Sequence, residues 1–195
     1  MSRDRGCAGK AAWGLLRPML ERKWVEMVAR LNRLEEARLE LFLFGAERIS
    51  LEPVRGPLQE LHDGRCFYCA GPFRGPGDKA VAIDHFVPWS RHPENAIENL
   101  VPAHAGCNGN KRDLLAARDH VTRWRSRMSD RATDLATIAN QAGFDRAPDR
   151  VLNVARGIYL RLPPEGRLWV RAGELEPVGA EPLAPLFEPP ARTVG

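Results

Sequence analysis

Two pairs of potential metal ligands constrain the fold of this chain more than any other feature. Cys66 and Cys69 form the first pair and His104 and Cys107 the second, with two residues between the members of each. Zinc takes four nitrogen or sulfur ligands in a tetrahedron, which two such pairs supply when the fold brings them together. The spacing therefore predicts a structural Zn²⁺ site that joins two distant segments, with placement of His104 in a reaction site as the alternative.

The cysteine content favours a reducing compartment. Three of the four cysteines belong to the ligand pairs, and the fourth, Cys7, lies in a polar N-terminal stretch where we expect it to have no partner. Such a set makes a poor disulfide framework and a good zinc set. Because no apolar run has the length of a membrane span or the quality of a signal peptide, we expect a cytoplasmic protein.

Positive charge is concentrated after the second ligand pair. The 195 residues carry a formal net charge of +4, which is weak evidence for a polyanionic partner when taken alone. Residues 111–131 hold seven basic side chains against three acidic ones. Two interpretations stay open for this stretch: a surface that contacts nucleic-acid phosphates, or an ordinary solvated helix face.

Hydropathy patterns predict an α+β fold. Helices are expected over 11–44, 53–61, 108–128, 131–142 and 147–162, and short strands over 79–83, 99–101 and 168–170. The helix over 11–44 is expected to pack on the rest of the chain, with a homodimer or partner-protein contact as the alternative. The pattern divides the chain into a disordered N terminus (1–10), an N-terminal helical region (11–64), a core (65–128), a C-terminal helical region (129–172) and a proline-rich tail that is extended or disordered (173–195).

An acidic residue stands beside a histidine at the end of the first predicted strand. These residues are Asp84 and His85. A carboxylate suits a hard cation such as Mg²⁺, and a neutral imidazole near pH 7 can take a proton from water. Most such pairs are surface residues, so the significance of this one comes from the ligand pairs on either side of it.

The residues from Cys66 to Lys111 resemble the HNH endonuclease family, whose catalytic core is a ββα-metal fold. Beyond the two ligand pairs, the resemblance rests on Ile83-Asp84-His85-Phe86-Val87-Pro88, Glu98-Asn99-Leu100 and Cys107-Asn108-x₂-Lys111. It implies a zinc-braced ββα core flanked by N-terminal and C-terminal helices. Asn108 stands where many members have a third histidine, which makes the motif HNN-type. His104 stands where a cysteine is more frequent, which still gives a Cys₃His zinc set.

The resemblance also implies a catalytic role for four residues. His85 corresponds to the general base that activates water. Asp84 and Asn108 correspond to the ligands of a single Mg²⁺ or Mn²⁺. Asn99 corresponds to the asparagine that holds the loop and orients His85.

The activity implied is metal-dependent hydrolysis of DNA, with 5′-phosphate and 3′-hydroxyl products. Lys111, Arg112 and Arg91 are the residues expected to contact the DNA backbone. Two alternatives stay open: a zinc-braced nucleic-acid-binding module without catalysis, and an RNA-directed nuclease. Similarity to standalone HNH proteins with helical flanks suggests a mobile-element, restriction or phage-defence nuclease, of which a role in restriction or phage defence is favoured.

Overall fold

The chain divides into two compact units, residues 1–48 and 49–195. The computed structural model describes residues 49–74 and 81–188, together with Leu20, Lys23, Trp24, Glu26 and Met27. Those five residues of the first unit are helical. Apart from them, the predictions for the segments 1–10 and 11–44, including a dimer or partner contact, lie outside the described residues.

The first helix of the second unit begins and ends as its sequence predicts. Helix α1 spans Glu52–Leu61 and has a proline in its first turn, where the missing N–H leaves no helical hydrogen bond unmade. The chain leaves the helix through Asp63 and Gly64, whose φ angles are +52° and +65°. The Gly64 amide donates to the carbonyl oxygen of Gln59 at 2.9 Å, which satisfies one of the last carbonyls of the helix.

A β-hairpin followed directly by a helix forms the centre of the unit. Strand β1 (Val81–His85) pairs antiparallel with β2 (Leu100–His104), in a register that sets Val81 opposite His104 and His85 opposite Leu100. Helix α2 (Ala105–Lys111) begins at the residue after β2. This order confirms the predicted α+β fold with a ββα core, and it brings the C-terminal end of β1 close to α2.

The single helix predicted over 108–128 is wrong, because the chain forms two helices there. Helix α2 ends at Lys111, Arg112 adopts a φ of +52°, and α3 starts only at Arg118 (Arg118–Asp130). Residues between them bond to a strand more than fifty positions later: Trp169 N donates to Leu115 O at 2.8 Å, and Ala117 N donates to Trp169 O at 2.8 Å. These tertiary hydrogen bonds replace the helical ones that a continuous helix would make.

The remaining elements follow the predicted order and add one strand. Helices α4 (Ala132–Ala142) and α5 (Pro148–Tyr159) confirm the two predicted helices, and β3 (Arg167–Arg171) confirms the last predicted strand. Strand β4 (Glu174–Pro177) pairs antiparallel with β3. None of the helices in the described ranges has the length and apolar character needed to cross a membrane.

Two apolar clusters stabilise this unit. In the larger one, Phe86, directly after β1, stacks on Trp124 of α3 with ring centroids 4.4 Å apart. The smaller one joins α1 and α4 to the start of β2 and includes Leu58, Leu100 and Leu135. Each fully buried side chain of this kind stabilises the fold by about 1.5–3 kcal/mol relative to its exposed state. The hairpin is therefore held from both sides, which fixes the position of the residues at its end.

The prediction of an extended or disordered tail is wrong for residues 174–188. After β4 the chain forms two short 3₁₀ helices, Val178–Ala180 and Ala184–Phe187, and buries Val178, Leu183 and Phe187 in the larger cluster. Proline removes backbone donors and so disfavours regular elements. The carbonyl oxygens of this segment instead accept hydrogen bonds from Arg118 and Arg125 of α3.

Candidate active site and metal centre

The four predicted zinc ligands come together in one cluster. The ligand atoms of Cys66, Cys69, His104 and Cys107 all lie within 4.8 Å of one another. This spread suits a tetrahedral ion with metal–sulfur bonds of about 2.3 Å. Since Nδ1 of His104 lies 3.3 Å from Sγ of Cys69, His104 belongs to this cluster and the alternative placement in a reaction site is wrong.

Backbone contacts shape the cluster around its ligands. The other ring nitrogen of His104, Nε2, lies 3.3 Å from the carbonyl oxygen of Pro72, an arrangement that holds the ring with Nδ1 toward the thiols. The backbone N–H of His104 donates to Sγ of Cys66 at 3.4 Å. A Cβ atom on Gly71 would lie 3.3 Å from the His104 ring and 3.4 Å from Sγ of Cys69. The turn after Cys69 therefore has little space for a side chain at position 71.

The thiol pKa values also fit a bound cation. For Cys69, burial alone would raise the pKa, but hydrogen bonds with the Gly71 backbone and His104 outweigh it and lower the pKa to about 7. For Cys107, burial followed by the charges of Cys66 and Cys69 raises the pKa to about 12. Three thiolates cannot share so small a space without a compensating positive charge, which a divalent cation supplies. The donor set thus fits a metal such as zinc.

Asp84 lies at the end of β1 in contact with two buried donors. The Tyr68 hydroxyl donates to Oδ2 of Asp84 at 2.5 Å, and Nζ of Lys111 lies 2.9 Å from the same oxygen. Burial, reinforced by the Asp84 charge, raises the pKa of Tyr68 well above its usual value, so this hydroxyl keeps its proton. Tyr68 is part of the turn between Cys66 and Cys69, so one side chain connects the metal cluster to the carboxylate.

The buried position of Lys111 does not fit its predicted contact with the DNA backbone. Its side chain is fully buried, and besides Asp84 it donates to the backbone carbonyl oxygen of His85 at 3.0 Å. Burial lowers the pKa of Lys111, and the Asp84 carboxylate opposes this effect. The Lys111 ammonium faces the interior, which contradicts the expectation, carried over from the position of this residue in the HNH motif, that Lys111 contacts a DNA phosphate.

The half-buried His85 is held by residues of the loop that follows it. Its Nε2 lies 2.9 Å from Oδ1 of Asn95, and its ring meets the Trp89 ring edge-on with centroids 5.0 Å apart. If Nε2 carries the proton and donates it to Asn95, then Nδ1 is the basic nitrogen of the ring. Asn95 was missed by the sequence reasoning, because no motif marks it and only the loop conformation brings it to His85.

Asn99 fastens that loop to the hairpin. Its fully buried amide accepts a hydrogen bond from the Val87 N–H at 2.8 Å and donates to the Val87 carbonyl oxygen at 3.1 Å. It also donates to the Glu94 carbonyl oxygen at 3.4 Å. The backbone of Phe86 donates to the Asn99 carbonyl oxygen at 2.7 Å. Asn99 thereby fixes both ends of the loop that carries Asn95 and begins beside His85.

Asn108, Arg91 and Arg112 are the remaining predicted site residues. Asn108 is half-buried and lies three residues before Lys111 on α2, the spacing that puts two residues on one face of a helix. Arg91 and Arg112 are both exposed. Nε of Arg91 donates to the carbonyl oxygen of Asp113 at 3.4 Å, which brings the loop after β1 next to the end of α2.

Most of the remaining basic side chains of residues 111–131 point into the protein, which neither interpretation of the sequence predicted. Arg127 is buried and donates to the carbonyl oxygens of Leu100 and Glu98, at 2.7 Å each. Arg118 and Arg125 bind carbonyl oxygens of the C-terminal segment, Arg118 those of Val178 at 2.6 Å and Glu181 at 2.5 Å, and Arg125 that of Glu188 at 2.6 Å. Arginine suits this task because its planar fork offers five donors. This basic stretch therefore stabilises the fold more than it charges the surface.

Comparison with known proteins identifies the part of the chain that carries this site. A family model described as HNH endonuclease matches residues 66–117, which include the metal cluster, the hairpin and α2. No curated protein matches the chain. The family implies nucleic-acid binding and nuclease activity for this part of the chain. Residues 66–117 thus match the HNH endonuclease family, and the Cys₃His cluster fits the zinc-braced variant of its ββα core.

Proposed function

We propose that the protein is a metal-dependent endonuclease that hydrolyses phosphodiester bonds of DNA, with Zn²⁺ in the Cys₃His cluster as a structural ion. The observation that carries this proposal is the contact of Lys111 with both Asp84 and His85 at the start of the loop that Asn99 fastens. A carboxylate and a histidine are thereby held together beside α2. Both belong to the segment that matches the HNH family.

Asp84 and Asn108 are the residues proposed to hold Mg²⁺ or Mn²⁺. Both contacts of Asp84 with its donors fall on Oδ2, so Oδ1 is the oxygen that can face a cation. The Asn108 side chain adds an amide oxygen, and hard cations prefer such oxygen ligands. When bound, the cation supplies neutralisation of the phosphate charge and stabilisation of the leaving oxygen.

His85 is the proposed general base. It takes a proton from a water molecule as the water oxygen bonds to phosphorus and the bond from phosphorus to the 3′ oxygen breaks. The departing 3′ oxygen receives a proton from solvent, which gives 5′-phosphate and 3′-hydroxyl products. Asn95 and Trp89 orient the imidazole for this step.

Arg91 and Arg112 are proposed to contact backbone phosphates of the nucleic acid. They are exposed, and the bond from Arg91 to Asp113 keeps the segments that carry them together. Contacts of this kind position the nucleic acid without reading its sequence. We therefore expect binding that depends strongly on salt and weakly on sequence.

The decisive experiment is cleavage of supercoiled plasmid in Mg²⁺ or Mn²⁺ by the wild type and by His85→Ala. We expect His85→Ala to lose cleavage while it keeps its zinc content and its thermal unfolding temperature. His92→Ala is the matched control, because it removes another half-buried histidine of the same loop, one that is proposed neither to hold the cation nor to take the proton. Cleavage by His85→Ala at the wild-type rate would remove His85 from the role of base.

One observation favours a second function, a zinc-braced nucleic-acid-binding module without catalysis. The Asp84 carboxylate already has a buried positive partner in Lys111, so it is stable without a cation. DNA binding by the wild type with no cleavage under any divalent cation would support this function. Parallel assays on DNA and RNA of one sequence separate a DNA nuclease from an RNA-directed one.

We extend the proposal to restriction or phage defence, on the similarity to standalone HNH proteins with helical flanks. The test is the efficiency of phage plating on cells that express the wild type or His85→Ala. Protection is expected from the wild type alone. Equal plating on both strains across a panel of phages would count against a defence role.

A further inference from the structure

The negative charge of Asp84 is balanced by a neighbouring positive charge, whereas the ligands of a cation site ordinarily have a net negative charge. The carboxylate is only 7% exposed, and its charge is balanced by the ammonium of Lys111, which is 0% exposed. The Tyr68 hydroxyl, which donates to Asp84, and the His85 backbone carbonyl, which accepts from Lys111, carry no charge. Asn108 also brings no charge. A divalent cation beside Asp84 would therefore meet a ligand set whose net charge is about zero.

Lys111 is fixed where it is by its own contacts. Its Nζ bridges Oδ2 of Asp84 at 2.9 Å and the His85 carbonyl oxygen at 3.0 Å, and the ammonium lies 5.7 Å from the centre of the Tyr68 ring. Moving the ammonium away would leave a buried carboxylate and a buried carbonyl with fewer partners, which is unfavourable. The lysine charge thus stays in place when a cation approaches Oδ1.

We propose that Lys111 makes the binding of the catalytic cation depend on the phosphodiester. In the free protein its charge offsets that of Asp84, so Mg²⁺ or Mn²⁺ binds weakly. The phosphodiester brings the missing negative charge, and the cation then binds tightly together with it. Lys111 is a positioning residue in this account, because it touches neither the cation nor the substrate. The inference rests on the proposed function, since it takes Asp84 as a cation ligand.

This coupling has a thermodynamic consequence that can be measured without catalysis. If DNA raises the affinity for the cation by some factor, the cation must raise the affinity for DNA by the same factor. Removal of the lysine charge should raise the cation affinity of the free protein and reduce that factor. Removal of the Tyr68 hydroxyl, which touches the same carboxylate oxygen and carries no charge, should change neither the cation affinity nor the coupling factor.

The experiment measures Mn²⁺ affinity by electron paramagnetic resonance of the free ion, using the full zinc-loaded chain in a His85→Ala background that does not cut. Each protein is titrated alone and with a short DNA duplex. In the background protein we expect the duplex to raise the Mn²⁺ affinity about tenfold or more, the scale of allosteric coupling. Lys111→Met and Lys111→Gln should each raise the affinity of the free protein by a similar factor, and Tyr68→Phe should change it less than about threefold.

Two results would overturn the inference. One is a coupling factor near one in the background protein, which is decisive even if both lysine variants fail to fold. The other is unchanged or weaker Mn²⁺ binding in folded Lys111→Gln, whose amide keeps a donor for the His85 carbonyl. Zinc content and circular dichroism identify the folded variants. Wild-type plasmid cleavage without coupling would refute this inference alone, whereas coupling without cleavage would refute the proposed nuclease function alone.

Discussion

Replacement of His62 by phenylalanine should make the protein less sensitive to acid. His62 follows α1, and its ring meets Phe67 edge-on with centroids 5.9 Å apart. Its Nε2 is buried and has no hydrogen-bond partner among the described residues. Burial, followed by the charges of Arg127 and Arg131, lowers the pKa of His62 from 6.5 to about 3. A phenylalanine ring can take this place without a buried polar atom.

The magnitude follows from proton linkage. In the unfolded chain His62 binds a proton as the pH falls below 6.5, whereas in the folded protein it binds one only as the pH falls to about 3. The free energy of unfolding therefore falls as the pH decreases through this interval. At pH 5, which is 1.5 units below the unfolded pKa, the loss is about 2 kcal/mol. This figure depends on the unfolded pKa alone, because folded His62 is neutral at pH 5.

The assay is urea unfolding of the wild type and of His62→Phe at pH 7.5 and pH 5. The wild type should lose about 2 kcal/mol more than the variant between the two pH values. Protonation of zinc ligands and of other histidines lowers the stability of both proteins alike, so it cancels in the comparison. An equal loss in the two proteins would show that His62 is protonated in the folded state, and the reasoning would be wrong.

Four further predictions concern the metal cluster, the loop, the C-terminal segment and the surface. Cys66→Ser should lose its zinc and melt at lower temperature, whereas Cys7→Ser, outside both ligand pairs, should keep about one zinc per chain by metal analysis. Asn99→Ala leaves the Val87 N–H and carbonyl unpaired and should lower the free energy of unfolding in urea by about 1–3 kcal/mol; an unchanged midpoint would contradict this. Arg118→Met should speed amide hydrogen exchange over residues 176–187, and the exposed Arg112→Met should not. Arg91→Ala and Arg112→Ala should each weaken DNA binding and reduce the slope of log affinity against log salt by about one, and an unaltered slope would exclude the contact.

Short-range patterns allowed the centre of the site to be predicted. Each ligand pair depends only on its x₂ spacing, which is a local pattern. The two pairs then come together because β1, β2 and α2 follow one another in the chain. Asp84 and His85 end a strand of apolar residues, and the structure has them at that position. Helices α4 and α5 have clear apolar periodicity and were found within a few residues of their predicted bounds.

Other features depended on contacts that no local pattern contains. Trp169 breaks the predicted helix over 108–128 through hydrogen bonds made more than fifty residues away in the chain. Asn95 meets His85 only because Asn99 fastens the loop between them. The tail is ordered because Arg118 and Arg125 bind its carbonyl oxygens. The sequence did not predict that these arginines face the protein and bind the tail, since charged side chains are rarely buried unless they are paired.

The sequence by itself determined the ligand set of the metal cluster, the ββα order and the identity of the residues at the end of β1. Tertiary structure alone decided where the charges lie. Lys111, Arg118 and Arg127 are buried because carboxylate and carbonyl oxygens from distant segments satisfy them, and unpaired burial would be too unfavourable to occur. Those partners come from strands, loops and a tail far away in the chain. For this reason the zinc ligands could be predicted from spacing, and the neutral Asp84–Lys111 pair could not.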